Sequence, residues 1–145
     1  MTRINTIDPS LLTDKHLLAE YKEITRPFNK VINRIKKHGI NDALNNCKIP
    51  ESYTLGSGHE TFFFNKLEWL YNRYLNLYRE LKSRSFNVNT EAFKEISTAF
   101  LKLAPTPYWN NYEPSPEDHY LNMVRICIRS NLDTVNSELI QINFD

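Results

Sequence analysis

TDKHLLAEYKEITRPFNKVINRIKKHG, residues 13–39, decides the fold class. Leu17, Tyr21, Ile24, Phe28, Val31 and Ile35 recur three or four residues apart, the spacing of a helix that buries one face. Thr13 stands where an N-cap is needed, and Asp14 meets the positive end of the helix dipole. Gly39 ends the run. Pro27 lies inside it, where its ring removes one backbone hydrogen bond and collides with the carbonyl of Glu23, so a kink is expected beside Glu23. Outward from this helix, an Asn-rich loop closing on Gly56 and Gly58 leads to a second long helix expected from about His59 to Ser83. Its stripe of Phe63, Leu67, Leu70, Tyr74, Tyr78 and Leu81 reads as core. A shorter helix is expected over Thr90–Leu103, and the turn APTPYWNNYEP (104–114) follows. The last helix opens with Ser115 as cap, Pro116 at its first position and Glu117 and Asp118 in its first turn, and should run to about Asn131. No strand alternation, repeat or low-complexity tract competes. The expectation is all-α: one compact domain over 1–145, of three main helices, a short helix and long loops.

Composition supports a single domain. A chain of 145 residues, 41% hydrophobic and 24% charged, can bury a core of its own but scarcely two. Cys47 and Cys127 make neither a metal-ligand spacing nor a disulfide framework, which fits a reduced compartment. No apolar run reaches signal-peptide or membrane-span length, so a soluble, intracellular protein without a membrane partner is expected. Net charge is only +1, yet residues 1–85 carry 14 Lys+Arg against 9 Asp+Glu, and residues 86–145 carry 4 against 8. A nucleic acid, if bound, should meet mainly the first half.

Candidate chemistry gathers in that half. An initiator Met before Thr is commonly removed, which would leave Thr2 with a free α-amino group. Such an amine has a pKa of about 7.7–8.0 against about 10.4 for lysine, so far more of it is nucleophilic near neutrality. On the first helix His16, Glu20 and Glu23 share a face. They read as a solvated polar face, as a carboxylate for general acid–base work, or as metal ligands together with His59, although no recognised metal spacing is present. Lys15, Lys22, Arg26, Lys30, Asn33 and Lys37 form a neighbouring ridge, either solvated or following a phosphate backbone. Arg125 and Arg129, four apart on the last helix, interrupt an acidic region as an ion-pairing or a functional couple.

Three segments carry a resemblance: the opening TRIN, DKHLLAEYKEITR (14–26) and YTLGSGHETFFFNKLEWL (53–70). Together they resemble the phage endonuclease V family, which removes one pyrimidine of a UV-induced cyclobutane dimer and nicks the resulting abasic site. The resemblance is strong over residues 1 to about 87, moderate over 111–130 and weak elsewhere. It implies that the amine of Thr2 is the nucleophile and that Glu23 stabilises the cationic sugar and imine and assists proton removal from C2′. It further implies that Arg3, His16, Lys22 and Arg26 surround the lesion or touch its phosphates. Aligning Tyr112-Glu113-Pro114 with the family's Tyr-x-Pro assigns DNA contact to Arg125 and Arg129 as well. The implied partner is damaged double-stranded DNA, met by a monomer with no protein partner, no metal and no cofactor, and the implied setting is a phage-encoded protein in the host cytoplasm.

The sequence departs from the family's pattern in three places. Lys22 stands where the family commonly has Arg, keeping the charge but not the bidentate fork. Pro27 follows Arg26, whereas the family's proline precedes it. The chain ends SELIQINFD without the family's aromatic, basic tail, and Tyr108, Trp109 and Tyr112 could supply substitute contacts or simply pack in the core. The competing expectations are an abasic-site lyase or DNA-binding protein of the same fold without dimer excision, and a metal-dependent hydrolase built on His16, Glu20 and Glu23.

Overall fold

The computed structural model describes residues 4–129, with side chains to residue 127. It is helical, with no strand among the described residues. An extended arm enters a 3-10 turn, Pro9–Leu11, capped by Asp8, whose carboxylate accepts from the Ser10 amide at 2.9 Å. Helix α1 (Asp14–Glu23) is capped by Thr13, whose hydroxyl accepts from the His16 amide at 3.2 Å. Helix α2 (Thr25–His38) follows after a break at Ile24. The expected kink is therefore present and sits beside Glu23, four residues before Pro27. Because α2 starts afresh at Thr25, Pro27 falls in a first turn, where a missing amide costs little. Gly39, at φ 86°, ends α2 with its amide on the Ile35 carbonyl. Leu17, Ile24, Phe28 and Val31 are buried, and Tyr21 and Ile35 pack half-buried beside them.

The second long helix is not continuous, which corrects the periodicity reading. It divides into α3 (His59–Phe62), a 3-10 turn (Phe63–Asn65) and α4 (Leu67–Ser83), with Lys66 at φ −130° and ψ 43° between them. The physical reason is the triplet Phe62-Phe63-Phe64, all buried. Three successive residues of a regular α-helix spread around its axis and cannot all face one core. The tighter turn and the break turn all of them inward. Lys66 folds back, donating to the Phe62 carbonyl and to Asn65 Oδ1, both at 2.9 Å, with its ammonium 3.9 Å from the Phe62 ring centroid. The first amides of α4 are received by the 104–114 turn: Leu67 donates to the Tyr108 carbonyl and Trp69 to that of Asn110.

Helix α4 is the hub, packing against α1, α2 and α5 (Thr90–Leu101). Its Leu67, Leu70, Tyr74, Leu77 and Leu81 are fully buried, while Tyr78 is half-buried and stacked on Phe93 of α5. Helix α5 is two residues shorter than the apolar spacing suggested and is capped by Asn89, which accepts from the Ala92 amide. Helix α6 (Pro116–Arg129) begins with a reciprocal cap: Ser115 Oγ accepts from the Asp118 amide and Asp118 Oδ2 from the Ser115 amide, each at 3.1 Å. The expected end near Asn131 lies outside the described residues. Among the described residues no helix is long and apolar enough to cross a membrane.

Candidate active site

The three polar residues expected to share one face of α1 have different surroundings. Glu20 is fully buried, which excludes a solvated role for it. Arg73, on the inner face of α4, grips it with two parallel bonds, Nε to Oε2 at 2.8 Å and Nη2 to Oε1 at 2.9 Å. The arm supplies the remaining donors: the Asn5 amide to Oε2 at 3.2 Å and Asn5 Nδ2 to Oε1 at 2.8 Å. Arg73 Nη1 also donates to the Ile7 carbonyl at 2.6 Å, and Nη2 to Asn5 Oδ1 at 3.0 Å. A desolvated ion pair persists only when its lone pairs and protons are met, and here they are met largely by the arm. Both Glu20 oxygens are thereby committed, so His16, Glu20 and Glu23 do not form a ligand set. Among the described residues no group of three or more His, Cys, Asp or Glu is placed to hold a metal ion.

Further contacts hold the same arm and the turn it enters. The Tyr53 hydroxyl lies 2.9 Å from the Ile4 carbonyl oxygen and 2.6 Å from Asn122 Oδ1, and Asn122 Nδ2 donates to Thr6 Oγ1 at 2.8 Å. Burial pushes the Tyr53 phenol well above its ordinary value, so it remains a protonated donor. Arg84, just after α4, donates to the Pro9 carbonyl at 3.0 Å while paired with Glu80 and Asp14. The glycine, histidine and phenylalanine motif serves this arrangement. Gly58 sits at φ 91°, where an added Cβ would also lie 3.0 Å from Pro50 Cγ. His59, Phe62 and Phe63 meet the Tyr53 ring edge-on, at 5.5, 5.8 and 6.1 Å between centroids. His59 is thus buried in an aromatic box, with Nδ1 2.7 Å from the Thr54 carbonyl oxygen.

Glu23, one turn beyond Glu20, differs. Its side chain is 16% exposed, and Oε1 lies 3.8 Å from Arg26 Nη1. Its Oε2 is buried without a hydrogen-bond partner among the described residues. Such an oxygen is uncommon in native proteins and is expensive unless it serves a ligand or a reaction. Arg26, with a 53% exposed side chain, and exposed Lys22 flank it. His16 is half-buried earlier on α1. Thr2 and Arg3 lie outside the described residues, as does the side chain of Arg129, whereas Arg125 is half-buried on α6. Along the basic ridge, Lys15, Lys22, Arg26, Asn33 and Lys37 are exposed, but the charge of Lys30 is met by Glu60 of α3.

The aromatic cluster before α6 packs as core. Tyr108 is buried with its hydroxyl on the Ile40 carbonyl, and Trp109 lies against Tyr71. Tyr112 stands between Tyr53 and Trp69, with its hydroxyl on Asp118. Sequence reading overlooked Arg73, Asn5, Tyr53 and Asn122. One signal was available for Arg73, a charge inside the apolar run Leu70, Tyr74 and Leu77. Asn5 and Tyr53 lie within the shared segments TRIN and YTLGSGHETFFFNKLEWL, which by themselves assign them no role, and Asn122 carried no signal.

The arm thus has its amides and carbonyls locked to α1 and α4 at Glu20 and Arg73, one helical turn from a carboxylate oxygen that no donor among the described residues meets and that Lys22 and Arg26 flank. Residues 1–94 of this 145-residue chain match the family model described as pyrimidine dimer DNA glycosylase. The match covers the arm, Glu20, Glu23, Tyr53 and Arg73, and the chain belongs to the pyrimidine dimer DNA glycosylase family.

Proposed function

We propose that this protein excises a pyrimidine of a cyclobutane dimer through its N-terminal amine and then cuts the strand at the abasic sugar. Removal of Met1 is a chemical requirement, because while it is attached the Thr2 nitrogen is an amide and cannot form an imine. The amine lone pair forms a bond to deoxyribose C1′ as the glycosidic bond breaks, and the base departs with that electron pair. Loss of a proton from nitrogen and opening of the C1′–O4′ bond, whose oxygen takes a proton, give the protonated imine. Glu23 stabilises that cation and accepts the C2′ proton, whose electron pair expels the 3′ phosphate by β-elimination. Water then hydrolyses the imine and returns the amine.

The buried Oε2 of Glu23, without a hydrogen-bond partner among the described residues, is the observation that carries this reading. A carboxylate oxygen held away from water and given no donor among the described residues is suited to a cation that arises only during reaction. Arg3, His16, Lys22, Arg26, Arg125 and Arg129 are the proposed contacts to damaged double-stranded DNA, made by a monomer. Exposed Lys22 and Arg26 are suited to phosphate and flank the carboxylate.

Borohydride tests the proposal. With abasic or dimer-containing duplex, correctly processed protein should yield a covalent adduct mapping to Thr2, undiminished by EDTA. Absence of any adduct overturns the reading. An adduct with abasic DNA alone leaves a lyase without dimer excision.

A further inference from the structure

Resting on the amine reading above, we infer that Asn5, Glu20, Arg73 and Tyr53 are positioning residues that fix the N-terminal amine against Glu23. Residues 4–7 are held by far more than a surface arm requires. Glu20 accepts from the Asn5 backbone amide at 3.2 Å and its side-chain amide at 2.8 Å. Arg73 donates to the Ile7 carbonyl and to Asn5 Oδ1, which also accepts from the Ile7 amide. Tyr53 meets the Ile4 carbonyl oxygen from the other side.

All of these groups are buried, and their partners come from α1, α4 and the loop before α3, so the arm is referenced to three parts of the fold at once. An extended residue spans at most about 3.6 Å, so the point at which the arm is fixed, Ile4, is two residues in sequence from the amine that the reading requires. Glu20 and Glu23 share a face of one helix, with Cβ atoms roughly 5–6 Å apart. A single rigid turn therefore carries both the anchor of the arm and the carboxylate that serves the amine. That also explains why an ion pair fills a place in the core that an apolar pair could occupy. Glu20 holds backbone, and a hydrocarbon side chain could not.

The consequence is a split between binding and chemistry. Tyr53→Phe keeps the ring in its aromatic box and removes only the hydroxyl, and Asn5→Ala removes the side chain shared by Glu20 and Arg73. Each should lower the single-turnover rate of borohydride-trappable imine formation about 10- to 100-fold at saturating abasic duplex, since a displacement near 1 Å costs on the order of 100-fold. Affinity for a duplex carrying a tetrahydrofuran abasic analogue, which cannot form the imine, should stay within about threefold of wild type because no phosphate contact is touched.

Assays are run where circular dichroism shows each variant fully folded, with Leu81→Ala as a comparison. Leu81 is fully buried near the end of α4, so its truncation should lower Tm but leave the rate of the folded protein unchanged. Folded Tyr53→Phe forming the imine at the wild-type rate overturns the inference, as does an equal loss of rate in Leu81→Ala. If Asn5→Ala does not fold, Tyr53→Phe decides. Failure of the wild type to form any trappable adduct overturns the amine reading itself, and this inference with it.

Discussion

Glu20 and Glu23 are the same residue type on the same helix, and their surroundings demand opposite responses to one substitution. Every bond to Glu20 is one in which its carboxylate accepts, so Glu20→Gln aims an amide donor either at Arg73 Nε and the Asn5 amide or at Arg73 Nη2 and Asn5 Nδ2, and leaves a buried guanidinium without its counter-charge. That change should destabilise the protein by about 3–5 kcal/mol, read by urea unfolding. Glu23→Gln removes only a 3.8 Å contact with Arg26 and relieves the desolvation of Oε2, so Tm should hold or rise slightly. Strand cutting should nevertheless fall roughly 10²- to 10⁴-fold, the usual weight of a general acid–base group. Equal activity of wild type and Glu23→Gln would remove Glu23 from the chemistry. Gly58 is a backbone requirement rather than a contact. At φ 91°, with Pro50 Cγ 3.0 Å from a would-be Cβ, Gly58→Ala should cost about 1–2 kcal/mol in the same unfolding assay.

Helix ends carry much of what joins the elements. The cap of α6 is shared between Ser115 and Asp118, and Asp118 Oδ2 also receives the Tyr112 hydroxyl at 2.6 Å. Tyr112 in turn stacks on Tyr53, so the start of α6 adjoins the aromatic box behind the arm. Asp118→Ala should therefore cost about 1–2 kcal/mol, the upper range for a lost cap, because a half-buried hydroxyl is orphaned as well. Thermal unfolding measures this, and an unchanged Tm would show that water replaces the carboxylate. The α1–α2 junction is governed by a similar local rule. Pro27 ends the intrahelical ladder of α1, and restarting the helix at Thr25 leaves Glu23 at the terminus of α1, beside Arg26 in the first turn of α2.

For the whole molecule, charge is distributed to match the expected partner rather than amassed. Net charge is +1, so attraction to DNA should come mainly from the exposed cations of the first half. Lys22, adjacent to Glu23 and with no ion pair among the described residues, whereas Lys30 has Glu60, is the cleanest probe. Lys22→Ala should weaken binding to damaged and undamaged duplex alike and reduce the slope of log K against log salt by about 1. Filter binding or fluorescence anisotropy across a salt series checks this. An unchanged slope would place Lys22 away from the phosphates.

Local rules were legible in the sequence because they act over a few residues. The apolar stripe of α1 and α2, the caps at Thr13 and Ser115, the stop at Gly39 and the kink four residues before Pro27 depend on neighbours in the chain, and all are present. The shared segments likewise identified the family, because its motifs are contiguous. What only the tertiary structure decided involves partners far apart. Glu20 and Arg73 are 53 residues apart and Tyr53 and Asn122 are 69 apart, and no periodicity joins such pairs. The break before α4 arises because three adjacent phenylalanines all find core, and the 104–114 turn becomes the acceptor for that helix's first amides. Spacing alone therefore left the two glutamates equivalent. Burial assigned one of them to the arm and left the other with an oxygen that no donor among the described residues meets, because desolvation energy is set by everything packed around a group and not by its neighbours in sequence.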